Sequence, residues 1–402
     1  MQNKMTNLPQ GWEVKKLEEI ANIKGGKRLP KGKNLLDNNT KFAYIRVADF
    51  QDNGTINLQN IKFINENTYN VLKNYKIYDD NLYISIAGTI GKSGIIPKEL
   101  NGAILTENAV KLEYIQNNIS NKFMYFFTLS NIFKTQIQTS TKIVAQPKLA
   151  IIRLKQIQIP LPPLKEQERI VGILDESFAK IDESIKILEQ DLLNLDELMQ
   201  SALQKAFNPL KDNAKENYKL PQSWEWKSLE EISENISAGG DKPKNCTESK
   251  TAKNQIPVYA NGVNNNGLVG YTDKATIIKP SLTISARGTI GFVCIRKEPY
   301  FPIVRLISLI PCENILCLHY LYFCLNFFIA KGEGSSIPQL TIPKFKSLQI
   351  PLPPLKEQEQ IAEHLDFVFE KTKALKELYT KELKDYEELK QSLLNKAFKG
   401  EL

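Results

Sequence analysis

The chain has 402 residues, 42% apolar and 24% charged, with 53 Lys and Arg against 45 Asp and Glu for a net charge of +8. That balance is globular and excludes a chain too polar to bury a core, and the length has room for two to four domains at about 100–200 residues each. The longest apolar run, 318–330, is interrupted by His319 and Asn326 and falls short of the ~20 residues a membrane helix needs; the first residues, MQNKMTNLPQ, hold no apolar signal region, so a cytoplasmic protein with no membrane partner is expected.

In chain order, LPQGWEVKKLEEI at 8–20 comes first, and it returns as LPQSWEWKSLEEI at 220–232. A basic, Gly- and Pro-containing loop follows, KGGKRLPKGK at 24–33, with five positive charges and no acid. The matching loop of the second half carries Lys242, Lys244, Lys250 and Lys253, diluted by Asp241 and Glu248. Residues 42–47 and 82–96 are rich in Ile, Tyr and Val with partial alternation, which predicts β-strands. ISIAGTIG at 84–91 returns as ISARGTIG at 284–291. AGTIGKS at 87–93 resembles a phosphate loop, but that motif's first glycine would fall on Ile86 and the second copy continues Gly291-Phe292-Val293, so a hairpin turn accounts for both copies. FMYFFTLSNIF at 123–133 and its counterpart at 318–330 are expected to be buried helices. All five cysteines lie in the second half without a CxxC pair; Cys312, Cys317, His319 and Cys324 share an apolar run and read as core, with no metal site expected.

QIPLPPLKEQE occurs at 158–168 and identically at 349–359, where the prolines are expected to form an extended stop that continues neither strand nor helix. A long helix is predicted over 165–207. Val171, Leu174, Phe178, Ile181, Ile185, Leu188, Leu192, Leu195, Met199, Ala202 and Ala206 keep 3–4 spacing along it, a coiled-coil seam. The second helix, over 356–398, has a weaker seam of Ile361, Leu365, Val368, Leu375, Tyr379, Tyr386, Leu389 and Leu393, interrupted at Thr372 and Glu382. The helices can pair antiparallel or bind other proteins; both remain open. LQKAF at 203–207 and LNKAF at 394–398 close the two halves. The repeat offset shrinks from 212 to 200 to 191, so the halves share landmarks and differ between them, through different binding surfaces or neutral drift.

Catalytic signatures are absent. The two histidines, His319 and His364, build no triad, and no GxGxxG after a strand, HExxH or GxSxG occurs. Basic Gly-rich loops instead suit nucleic-acid phosphates, and Asn-rich loops supply amides for base edges. The candidate DNA contacts are Lys27, Arg28, Lys31, Lys33, Arg46, Lys92, Lys142, Lys242, Lys244, Asn261, Asn264 and Arg287.

Taken with the doubled Leu-Pro-x-x-Trp start, the doubled Gly-Thr-Ile-Gly and the doubled Pro-Leu-Pro-Pro-Leu-Lys-Glu-Gln, the chain resembles the specificity subunit of type I restriction–modification systems over essentially its whole length. The resemblance implies an α+β fold with two repeated target recognition domains separated by two long helices that pair as an antiparallel coiled coil. The recognition domains would span 1–155 and 213–346, and the spacer helices with their proline-led starts 156–212 and 347–402. Each domain would read one half of a bipartite site in double-stranded DNA. The chain would be non-catalytic and bind no cofactor. S-adenosylmethionine would belong to modification subunits, two per chain, and ATP with Mg to restriction subunits. The second copy has the family's glycine before its Pro-Gln-Leu, in GEGSSIPQL at 332–340; the first, TSTKIVAQPKL at 139–149, lacks it. The remaining alternatives are a chain with its own methyltransferase activity and a coiled-coil scaffold that binds no DNA sequence; a random duplex library separates the scaffold from a DNA reader.

Overall fold

The computed structural model describes residues 8–141, 149–211, 221–329 and 340–402. Lys142 and most of the two segments compared at 139–149 and 332–340 lie outside the described residues. Two compact units emerge, Met1–Leu188 with Lys381–Leu402, and Glu189–Thr380. Each combines a sheet domain with parts of both long helices.

In the first unit the strands run β1 (Glu13–Lys16), β2 (Ala21–Gly25), β3 (Ala43–Ile45), β4 (Lys62–Phe63), β5 (Lys76–Ile77), β6 (Leu82–Ser85), β7 (Ser93–Ile95), β8 (Ala103–Leu105), β9 (Ala109–Tyr114) and β10 (Gln158–Leu161). They form sheets in the order β2-β9-β6-β7 and β4-β3-β8-β5, plus a β1-β10 ribbon. Strand period explains the layering. Leu82 and Ile84 of β6 enter the core beneath the helices, whereas Tyr83 between them enters the core shared with the second sheet. Val110 and Leu112 against Ala109 divide in the same way on β9. The second unit repeats the plan with β11 (Glu225–Ser228), β12 (Ser233–Ala238), β13 (Ile256–Tyr259), β14 (Leu268–Thr272), β15 (Ser281–Ile284), β16 (Val293–Arg296), β17 (Phe301–Pro302), β18 (Ile307–Pro311) and β19 (Gln349–Leu352). Its orders are β12-β18-β15-β16, β14-β13-β17 and β11-β19.

Two expectations are corrected here. The QIPL segments are strands: Pro160 stands opposite Val14 on β1, and Pro351 opposite Trp226 on β11. Each is in a two-stranded ribbon, where proline's missing N–H can face away from the partner. The apolar run 123–133 is two helices, Asn121–Leu129 and Asn131–Thr141. Buried Ser130 breaks it, donating its hydroxyl to the Phe127 carbonyl and accepting from the Phe133 amide. Its counterpart, Leu318–Phe328, is one helix.

The central helix, Leu164–Lys211, has 48 residues, ~72 Å at 1.5 Å per residue, and the C-terminal helix spans Leu355–Ala397. In the first unit, Arg169 donates to the carbonyl of Leu402 and Asp182 pairs with Lys390, so the two segments there are antiparallel. In the second unit Asp196 pairs with Lys376, while Phe207 shares a core with Ala362 and Leu365, which again is antiparallel. Each sheet domain is thereby completed by the far end of one long helix. Phe398 packs on Phe123 and Phe127 with centroids 5.1 and 5.5 Å apart, and Phe207 packs 5.7 Å from Tyr320.

On the central helix Leu174, Ile181, Leu188 and Leu195 are buried and Phe178, Ile185 and Leu192 half-buried. On the C-terminal helix the seam departs from expectation. Leu375 is 39% exposed and Leu389 45%, both off the seam. The half-buried or buried positions form two heptad series, Leu365, Thr372, Tyr379 and Tyr386 with Phe369, Lys376, Leu383 and Lys390. Val368 is half-buried beside them. Thr372 fits because its hydroxyl donates to the Val368 carbonyl, and Lys376 and Lys390 lay their stems on the seam while their ammonium groups reach Asp196 and Asp182.

Candidate DNA interface

The doubled Gly-Thr-Ile-Gly segment closes the β6–β7 hairpin and its β15–β16 counterpart. The Ser85 amide donates to the Lys92 carbonyl and the Gly91 amide to the Ser85 carbonyl; Ser285, Phe292 and Gly291 repeat both bonds. Gly88 (φ 76°) and Gly91 (φ 89°), like Gly288 (φ 68°) and Gly291 (φ 81°), take the left-handed backbone that this turn demands.

Around the first turn, Lys27, Arg28, Lys31 and Lys33 are exposed on the loop after β2. The loop is pinned to the crossover between β8 and β9: the Lys27 amide donates to the Leu105 carbonyl, and the Tyr44 hydroxyl donates to the Lys27 carbonyl. Arg28 pairs with Glu107 at 2.6 Å. Burial pushes the Glu107 carboxyl up, but hydrogen bonds from Arg28, its own backbone and Thr106 outweigh this and hold it below the ordinary value. Arg46 is also paired. It grips the buried Asp49 through two nitrogens at 2.6 and 3.1 Å and donates to the Asn60 carbonyl, so these donors brace the Val47–Asp49 turn. Lys92 is half-buried and paired with Asp52 at 2.8 Å.

In the second unit Lys242, Lys244, Asn264 and Arg287 are exposed. Asn261 does not present its amide outward. Its Nδ2 donates to the Val304 carbonyl at 2.6 Å and its Oδ1 accepts from the Ala286 amide at 2.8 Å, so it ties the turn bearing Arg287 to the strand crossover. The Asn264–Gly267 turn places Asn265 (φ 48°) and Asn266 (φ 51°) in the left-handed region. Arg296 supports it from below, donating to the Asn266 carbonyl and the Thr283 hydroxyl, with its guanidinium 3.5 Å from the Tyr259 ring centroid.

Sequence comparison agrees with this doubled architecture. Residues 9–192 and 221–385 match the family model described as the type I restriction modification DNA specificity domain. The chain belongs to that family. A Mycoplasma pneumoniae protein designated a type I specificity subunit is 29% identical over 357 residues, 87% of each chain. Two solved structures share the fold, each at 20% identity. One comes from work on the complex assembly and conformational transition of a type I R-M system, with a TM-score of 0.80 over 98% of this chain and 100% of its own. The HsdS subunit from Thermoanaerobacter tengcongensis has a TM-score of 0.62 over 100% of both chains. Sequence-specific DNA recognition is therefore the function of this specificity subunit. No described helix is long and apolar enough to cross a membrane, and among the described residues no group of three or more His, Cys, Asp or Glu is placed to hold a metal ion. His319 pairs instead with Asp366 at 2.6 Å, and Cys324 is buried.

The residue list read from the sequence omits the glutamines that anchor the long helices. Gln167, fully buried, donates to the Asn118 and Pro162 carbonyls and accepts from the Ser120 amide. Gln358 makes the same three bonds, to the carbonyls of Ile315 and Pro353 and from the Cys317 amide. The signal was in plain view, since both glutamines lie in the doubled Lys-Glu-Gln-Glu.

Proposed function

We propose that each compact unit of this specificity subunit reads one half of a bipartite site in double-stranded DNA, and that the antiparallel long helices set the unspecified stretch between the half-sites. The observation that carries this reading is two units of one build, each completed by the start of one long helix and the end of the other. Lys27, Lys31 and Lys33 serve the first unit as phosphate contacts, and Lys242, Lys244 and Arg287 serve the second, positioning loop side chains such as Asn264 in the groove. Arg28 contributes as the exposed partner of Glu107.

The chain itself carries out no catalytic step. Adenine methylation with S-adenosylmethionine falls to modification subunits, two per chain, that dock on the helices; cleavage with ATP and Mg falls to restriction subunits; the assembly works in the cytoplasm. Inserting one heptad between Leu188 and Leu195 and a matched heptad between Lys376 and Lys390 tests the spacer role. A heptad keeps the seam in phase, and the aspartates of the two ion pairs stand 14 residues apart, as do their lysines. The gap should widen by about 10 Å, close to three base pairs, with both half-sites unchanged. An unchanged gap, or altered half-sites, overturns the spacer role.

A further inference from the structure

We propose that the short crossover joining β8 to β9, and its counterpart joining β17 to β18, is the base-reading element of each recognition domain, with Glu107 reading in the first and Val304 and Arg305 in the second. The proposal rests on the bipartite reading above. The two crossovers are the same place in the fold. The Thr106 amide donates to the Ile45 carbonyl at 3.0 Å, and the Ile303 amide to the Tyr259 carbonyl at 2.8 Å. The Gly26 amide donates to the Ala109 carbonyl, and the Gly239 amide to the Leu306 carbonyl.

The segments on either side of these crossovers are fastened to them. A Cβ on Gly26 would lie 2.0 Å from the Thr106 oxygen, and one on Gly239 2.6 Å from the Ile303 nitrogen, so each basic loop starts from a glycine that only close approach explains. The hairpin turn is tied on the other side. The Ile86 amide donates to the Asn108 carbonyl in the first unit, and in the second Asn261 bridges the Ala286 amide to the Val304 carbonyl. Each crossover thus lies where a basic loop and a Gly-Thr-Ile-Gly turn meet.

Within this repeated frame the chemistry of the crossover differs. The first reads Thr106-Glu107-Asn108 and the second Ile303-Val304-Arg305. Val304 (φ 53°) and Arg305 (φ 58°) are both left-handed, a conformation that a β-branched residue rarely adopts. The Leu306-to-Ile303 bond and donations from Val304 and Arg305 to Gly240 and Gly239 hold them there. Val304 is 49% exposed and Arg305 is exposed, so core packing explains neither side chain. Strain kept at an outward-facing loop is the mark of a functional segment. The side chains suit base edges: arginine donates twice to guanine, valine meets the thymine methyl, and the half-buried Glu107 carboxylate, held by Arg28 and Thr106, has lone pairs left to accept from the cytosine amino group.

The test uses the full chain and selection from a random DNA duplex library, comparing the unaltered protein with Val304→Gly, Arg305→Gly and Glu107→Gln. Glycine relieves the backbone strain, and melting curves confirm that the variants remain folded. Val304→Gly and Arg305→Gly should each relax a base position in one half-site and leave the other half-site intact. Glu107→Gln should alter a position in the opposite half-site. Preference at an affected position should drop about 5- to 150-fold, as the loss of one good base contact implies. Unchanged half-sites, or a uniform weakening on all sequences, would overturn the proposal. If the unaltered chain selects no bipartite motif, the bipartite reading fails with it.

Discussion

Replacing Phe398 by alanine should loosen the first recognition domain, although the residue lies at the far end of the chain. Phe398 is 1% exposed and shares a core with Leu17, Phe123, Phe127 and Leu174. Truncating such a phenylalanine costs about 3–5 kcal/mol through lost transfer energy and the cavity left behind. The rings of Phe123 and Phe127 both contact it, which favours the upper half of that range. Hydrogen exchange read by mass spectrometry localises the effect. Peptides covering Asn121–Leu129 should exchange faster in Phe398→Ala, while those covering Leu318–Phe328 keep their protection. Phe207→Ala should do the reverse, since Phe207 is buried against Tyr320, Phe327 and Phe328. Loosening of Leu318–Phe328 by Phe398→Ala, with Asn121–Leu129 untouched, would refute the crossed completion of the two domains.

Other consequences are open to direct measurement. Gln167→Leu and Gln358→Leu should each destabilise the protein in urea by about 1–3 kcal/mol for every buried partner left unpaired, and a loss under half a kcal/mol would deny the anchoring role. Lys376→Met should be close to neutral, because its partner Asp196 is exposed and such pairs contribute about 0–1 kcal/mol; a loss above about 2 kcal/mol would show the pair to be essential. DNA affinity should fall log-linearly with salt, with a slope near −0.9 per phosphate contact, and a flat dependence would turn the basic loops to solvent. Glu113 is pushed up by burial, but hydrogen bonds from Lys111 and Lys24 outweigh this and hold it below its ordinary 4.5. Its lowered folded value means a stabilisation present above 4.5 and lost as pH falls from there through the lower, folded value. Thermal melting of Glu113→Gln should therefore differ from the unaltered chain at neutral pH and converge with it in acid.

The repeat made the architecture legible, because doubled landmarks need doubled structure. The GTIG turns and the central-helix seam could be read for the same reason: each is local, and periodicity or turn chemistry determines it. What was hidden depends on which partners the polar ends find. Periodicity found apolar residues and so chose Leu375, whereas the seam uses Thr372 and Lys376, whose polar ends find the Val368 carbonyl and Asp196. Arg46 and Asn261 carry the right chemistry for DNA, and the sequence did not show that they also bond to Asp49, Asn60, Val304 and Ala286. Pro160 and Pro351 signalled an extended stop, and only pairing with the distant Glu13–Lys16 and Glu225–Ser228 makes them strands. The left-handed Val304 has no sequence signal, because its conformation comes from Gly239 and Gly240, more than sixty positions away.

The central claim is that this chain directs methylation to a two-part DNA site. The most direct measurement is a single-molecule sequencing methylome of a host that expresses the cognate modification subunit, with and without this chain. A methyladenine motif of two short half-sites and a fixed unspecified gap should arise only when the chain is present. An assembled complex that adds no such motif would contradict it.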